Sequence, residues 1–197
     1  MFSINSLDRL KNLKEEDYGY INEVELYGCN LDKIPEKIFE LFNLEILNLH
    51  SNNINIIPDK FVNIPCLKEL VFDDNPIKEI PKSILSCKHF NHLSCDFTKI
   101  EVLPKWMEKL ENLEFLSLNN SNIKSINFDI TKIREVRISL NSYSNINNLS
   151  EDCEYVQIDY LCEPVSNLPI NLKKLKLVKP YEPINVKVPF GCEFIVI

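Results

Sequence analysis

A chain of 197 residues is one domain or one short repeat array, and 45% apolar against 26% charged residues describes a protein with a real core. The net charge of −7 leaves no dominant basic face for nucleic acid, and three glycines form neither a GxGxxG nor a GxxxxGK[ST] phosphate loop. No run approaches the roughly 18 apolar residues of a membrane span, and residues 1–20 lack a signal peptide's basic-then-apolar order.

At the N-terminus, Ser6 is placed to cap a helix carrying Leu7, Leu10 and Leu13 on one face. Residues 1–20 are therefore expected to form an N-terminal helical cap. The next stretch sets a pattern with Ile21, Val24, Leu26, Cys29, Leu31, Ile34 and Pro35. It returns 23 residues later as Leu44, Leu47, Leu49, Asn52, Ile54, Ile57 and Pro58. The same step produces Leu67, Leu70, Phe72, Asn75, Ile77, Ile80 and Pro81, then Phe90, Leu93, Cys95, Thr98, Ile100, Leu103 and Pro104. A fifth unit has Leu113, Leu116, Leu118, Ser121, Ile123 and Ile126, with Asn127 where the proline stood.

The period then shortens to about 20 residues. Ile133, Val136, Ile138 and Asn141 make one short unit, and Cys153, Val156, Ile158 and Leu161 another. Leu172, Leu175 and Leu177 follow, and Phe194 and Val196 close the series. The expected organisation is five 23-residue units over 21–132, the last one shortened, and three to four degenerate units over 133–197.

Each column has a physical role. Period-2 alternation makes a short strand with its aliphatic residues turned inward. Repeated units stack those strands into one parallel sheet over a continuous apolar column. The column of Cys29, Asn52, Asn75, Thr98, Ser121 and Asn141 can bond backbone groups where the chain leaves the sheet. Pro35, Pro58, Pro81 and Pro104 suit the start of a short helix or turn on the opposite side. Trp106 is expected to pack on that side, and the polar stretch Ser139–Ser150 to have irregular backbone.

The pattern LxxLxLxxNxLxxIP resembles that of the leucine-rich repeat family, over roughly residues 21–197. The first five units look like its 23-residue intracellular subclass, and "LPINLKKLKL" looks like the short bacterial-type repeats. The resemblance implies an α/β, right-handed solenoid with a parallel concave sheet and short helices or turns on the convex side. It also implies a protein-binding rather than a catalytic role.

The functional question then rests on the outward positions of the strands. Those chosen as a partner-binding concave face are Tyr27, Ile46, Asn48, His50, Glu69, Val71, Asp73, Asp74, His92, Asp96, Phe97, Phe115, Asn119 and Tyr155. Their acidic and aromatic mixture fits a protein partner with a basic or amphipathic surface. Stacked like charges such as Asp73 and Asp96 destabilise a sheet, so folding alone does not favour them. Imidazole and carboxylates at His50, Asp73 and Asp96 can bind zinc, but nothing in the sequence brings them together.

No metal, cofactor, catalytic residue, nucleic acid or membrane is expected, and the chain is expected to be a monomer. Seven scattered cysteines with no CxxC pair predict reduced thiols and a cytoplasmic protein, or one acting inside a host cell if a pathogen or virus makes it. The alternative is a structural or self-associating protein that pairs through "CEFIVI", a strand with no visible cap.

Overall fold

The computed structural model describes residues 2–123, 133–139, 149, 151–159, 161, 168–180 and 186–197. Asn141 of the polar column, Tyr160, Cys162 and the polar segment at 140–148 lie outside the described residues. The strands are β1 (Phe2–Ile4), β2 (Ile21–Glu25), β3 (Ile46–Asn48), β4 (Glu69–Val71), β5 (His92–Ser94) and β6 (Phe115–Leu118). They continue with β7 (Glu135–Ser139), β8 (Tyr155–Asp159), β9 (Lys174–Val178) and β10 (Glu193–Val196). All ten form one parallel sheet in sequence order. This is the stacked parallel sheet that the periodicity predicts, in the α/β solenoid that the resemblance implies.

Register follows the repeat. Leu47, Leu70, Leu93, Leu116, Val136, Val156 and Leu175 lie opposite one another on successive strands. All of them are buried, as are Leu44, Leu49, Ile54, Phe72 and Cys95. Across the core, tight 3-10 turns at Glu36–Glu40, Phe61–Asn63, Lys82–Ser86 and Lys105–Lys109 supply the opposite wall. Pro35, Pro81 and Pro104 stand immediately before three of these turns, where the missing N–H costs no bond. Each turn buries one or two apolar residues, and the Phe39 and Phe61 rings of successive turns meet edge to face at 5.7 Å. Trp106 packs partly buried against the core from the same side.

The asparagine column is a buried amide ladder. Asn75 donates from Nδ2 to the carbonyls of Leu49, Phe72 and Asp73, and its Oδ1 accepts from Ile54 N at 2.9 Å. Asn52 makes the equivalent bonds one coil earlier, donating to Leu26, Leu49 and His50 and accepting from Leu31 N. Among the described residues, Thr98 and Ser121 each make one such bond, to Cys95 O and Leu118 O, because a hydroxyl has a shorter reach than an amide.

The N-terminal segment holds an element the sequence reading lacks. Strand β1 precedes helix α1 (Leu7–Asn12) and pairs with β2. Ser6 Oγ accepts from Arg9 N at 3.3 Å, and Leu10 of α1 is buried. At the other end, β10 pairs with β9 and leaves Phe194 and Val196 exposed.

Candidate functional site

Strand geometry turns alternate residues to the outer face of the sheet. The register places Glu23, Ile46, Glu69, His92, Phe115, Glu135, Tyr155 and Lys174 in one outward row. Glu25, Asn48, Val71, Ser94, Ser117, Arg137, Gln157 and Lys176 form a second. Tyr27, His50, Asp73, Asp96 and Asn119 follow two positions further on. Ile46 is half-buried between Glu23 and Glu69, and Val71 between Asn48 and Ser94.

The aspartates are not loose charges. Asp73 Oδ1 accepts from Ser94 Oγ at 2.7 Å and from Asp96 N at 2.8 Å. Asp96 Oδ1 repeats the arrangement with Ser117 Oγ at 2.6 Å and Asn119 N at 2.7 Å, and Asn119 Nδ2 donates to Asp96 Oδ2 at 3.3 Å. Each carboxylate therefore ties one coil to the next. Contrary to the expectation from sequence, folding does accommodate the stacked Asp73 and Asp96, because two charge-assisted bonds per carboxylate offset their repulsion. Burial nonetheless pushes the Asp96 carboxyl above its ordinary range, opposed by its bonds to Ser117 and Asn119. Asn119 is itself buried, and its Oδ1 finds no partner among the described residues.

The aromatic residues divide into two groups. Tyr27 stacks on His50 with ring centroids 5.2 Å apart, and His50 Nε2 lies 3.1 Å from Ser51 Oγ. Farther along, His92 stacks on Phe115 at 4.0 Å, and the Arg137 guanidinium lies over both Phe115 at 5.3 Å and Tyr155 at 5.8 Å. Glu135 pairs with Arg137 at 2.6 Å, so this cluster largely satisfies itself. Desolvation lowers the His92 pKa, with the Glu69, Asp73 and Glu135 carboxylates pulling the other way.

Asp74 and Phe97, chosen from sequence as outward residues, belong to a row of left-handed turns beyond the strands that the sequence reading did not reveal. Gly28, Ser51, Asp74, Phe97, Asn120 and Lys179 all have φ between 48° and 59°. The N–H groups of Gly28, Ser51, Asp74, Phe97 and Lys179 continue the parallel ladder, as in Asp74 N to Asp96 O at 2.8 Å and Phe97 N to Asn119 O at 2.8 Å. The left-handed turn swings the chain off the sheet so that the next residue, as at Asn52 after Ser51 and Asn75 after Asp74, can bury its amide. Gly, Asp and Asn in this row were a legible signal for it. Asp74 is exposed and accepts from Ser51 Oγ at 2.9 Å, whereas Phe97 is 60% exposed.

Nucleophile and metal chemistry find little to use. Burial pushes the thiol of Cys87 up to about 11 and that of Cys153 to about 12, and raises Cys95 well above the ordinary value. None of these offers a thiolate near neutrality. Among the described residues, no three His, Cys, Asp or Glu are grouped to hold a metal ion, and no helix is long and apolar enough to cross a membrane. The six described cysteines are free.

A stacked parallel sheet, a buried amide ladder and one outward face of mixed chemistry define a repeat protein built to display a surface. The family model for a leucine-rich repeat region matches residues 5–189, and the chain belongs to the leucine-rich repeat family. None of the curated proteins searched is similar enough in sequence to match. Among solved structures, the plant peptide hormone receptor RGFR1 in complex with RGF2 is similar over 99% of this chain, at 22% identity and a TM-score of 0.59. The functional domain of InlJ from Listeria monocytogenes is similar over 93%, at 14% identity and a TM-score of 0.56. A leucine-rich repeat protein of Leptospira interrogans is similar over 91%, at 17% identity and a TM-score of 0.49. The chain spans 34%, 55% and 62% of those three chains respectively.

Proposed function

We propose that this solenoid is a non-catalytic protein-interaction module whose partner docks on the concave outer face of β2–β5 through a basic or amphipathic surface. The supporting observation is charge. Glu23, Glu25, Glu69 and Asp74 lie on this face, and its two outward rows and the turn row carry no lysine or arginine from β2 to β5. Ile46 and Val71 add half-buried apolar surface between them. A prefolded surface docks its partner with little ordering cost. A leucine-rich repeat solenoid serves as a peptide hormone receptor in the plant complex, which makes a peptide-like segment a reasonable occupant here.

The test is the triple reversal Glu23→Lys, Glu25→Lys and Glu69→Lys, which spares the aspartates that tie the coils together. Proteins captured from the native host by wild-type chain are expected to be lost by the variant, with an unchanged thermal melt. An unchanged captured set rejects docking on this face. A second reading is self-association through β10, favoured by exposed Phe190, Phe194, Val196 and Ile197. Light scattering on Val196→Lys separates the two, because a wild-type monomer rejects pairing through this strand.

A further inference from the structure

The geometry points to Phe97 as a partner-binding anchor on the left-handed turn row, where it is covered by an apolar side chain of an extended, arginine- or lysine-bearing protein segment. This inference rests on the acidic-face reading above and deepens it by making Phe97, one of the outward residues chosen from sequence, the anchor for that partner.

Two independent costs meet at Phe97. Its backbone has φ 54°, a region that bulky residues avoid because Cβ crowds the backbone. Glycine, aspartate and asparagine at Gly28, Asp74 and Asn120 hold the same turn in other coils with less crowding. The ring is also 60% exposed, so it gains little of the burial that would offset the strain. A single exposed apolar residue needs no explanation, but one in a strained conformation does. Lys179 shares the conformation, yet its solvated charge incurs no apolar exposure.

The surroundings choose the occupant. Asp74 takes the same turn position one coil earlier, about 4.8 Å along the sheet. Asp74 is exposed, and Glu69 is half-exposed on the strand leading to it. No lysine or arginine occupies the outward or turn rows from β2 to β5. A cationic segment crossing the turns would set its charges against Asp74 and Glu69. Its apolar residues, or a guanidinium stacked on the ring, would desolvate Phe97.

The experiment is selection of a random displayed-peptide library on the intact chain, followed by titration of the selected synthetic peptides. Peptides enriched in arginine or lysine with an apolar neighbour are expected. Phe97→Asn is expected to bind them at least tenfold more weakly, while its Tm rises by about 2–4 °C as the strain is relieved. Phe97→Tyr keeps the ring and is expected to bind as wild type. Undiminished binding by Phe97→Asn, or a lowered Tm, overturns the anchor while leaving the acidic face standing. Selection of acidic or neutral peptides, or of none, overturns the acidic face and the anchor together.

Discussion

The long coils of β2–β6 and the short coils of β7–β9 build the same sheet by different means. In the long coils, strands such as β3, β4 and β5 are only three residues. Hydrogen bonding continues past them through the left-handed turns and the amides of Asn52 and Asn75, all directed along the stacking axis. In the short coils the strands are five residues and carry the ladder over a longer run, with Lys179 N to Ile197 O extending it past β9. There the outer face is crosslinked by long side chains: Glu135 to Arg137, Arg137 over Tyr155, and Tyr155 to Gln157 to Asp159. The difference separates scaffold from surface. In the long coils the buried amides and the Asp73 and Asp96 carboxylates tie coil to coil and leave Glu23, Glu25, Glu69 and Asp74 on the outer face, whereas in the short coils longer side chains crosslink that face.

The largest expected effect tests the inner ladder. Asn75→Ala removes the interior partner of Ile54 N–H and of the Phe72 carbonyl, whereas the Leu49 carbonyl keeps its bond from Asn52 Nδ2. At about 1–3 kcal/mol per buried group left unpaired, the loss should be about 3–5 kcal/mol by urea unfolding. A loss under about 1 kcal/mol would mean that the short strands suffice and the contrast between the coils is illusory.

A smaller effect is expected from the outer network of the short coils. Arg137→Gln removes a partly exposed ion pair and two cation–π contacts, whose groups fall back to water, so about 1 kcal/mol is expected. A cost matching that of Asn75→Ala would place the surface network on a par with the amide ladder.

The smallest effect lies in the last long coils before the short ones begin, at His92 stacked on Phe115. Its folded pKa is lowered from the ordinary histidine value of 6.5, chiefly by desolvation, so the unfolded chain binds the proton more readily. The contribution is present above pH 6.5 and is lost as pH falls from there through the lowered folded value. Urea unfolding of wild type against His92→Gln should show a shallower stability decline in this window for the variant. A steeper decline would reverse the sign of the shift.

Much of the scaffold was legible because it is periodic. Leu44, Leu47 and Leu49 declare a strand and its buried face, and Asn52 and Pro58 mark where the chain turns away. Cys95 and Cys153 could likewise be assigned to the core from their columns. The short strand β1 carried no comparable signal, since a three-residue alternation before a capped helix has no repeat to align with. The roles of Asp73 and Asp96 were hidden for another reason. Their partners are the Ser94 and Ser117 hydroxyls and backbone N–H groups of the following coil, 21 and 23 residues away. Phe115 and Tyr155 were legible as outward aromatics, but their sharing of Arg137 was not.

What the sequence determined by itself is the repeat, the inward columns and the sheet they imply, because burying an apolar face depends on local spacing alone. Only the tertiary structure decided which outward residues are engaged with each other and which remain exposed. That distinction depends on groups in different coils meeting across the sheet, and on the left-handed backbone at Phe97. Both arise only once the coils are stacked.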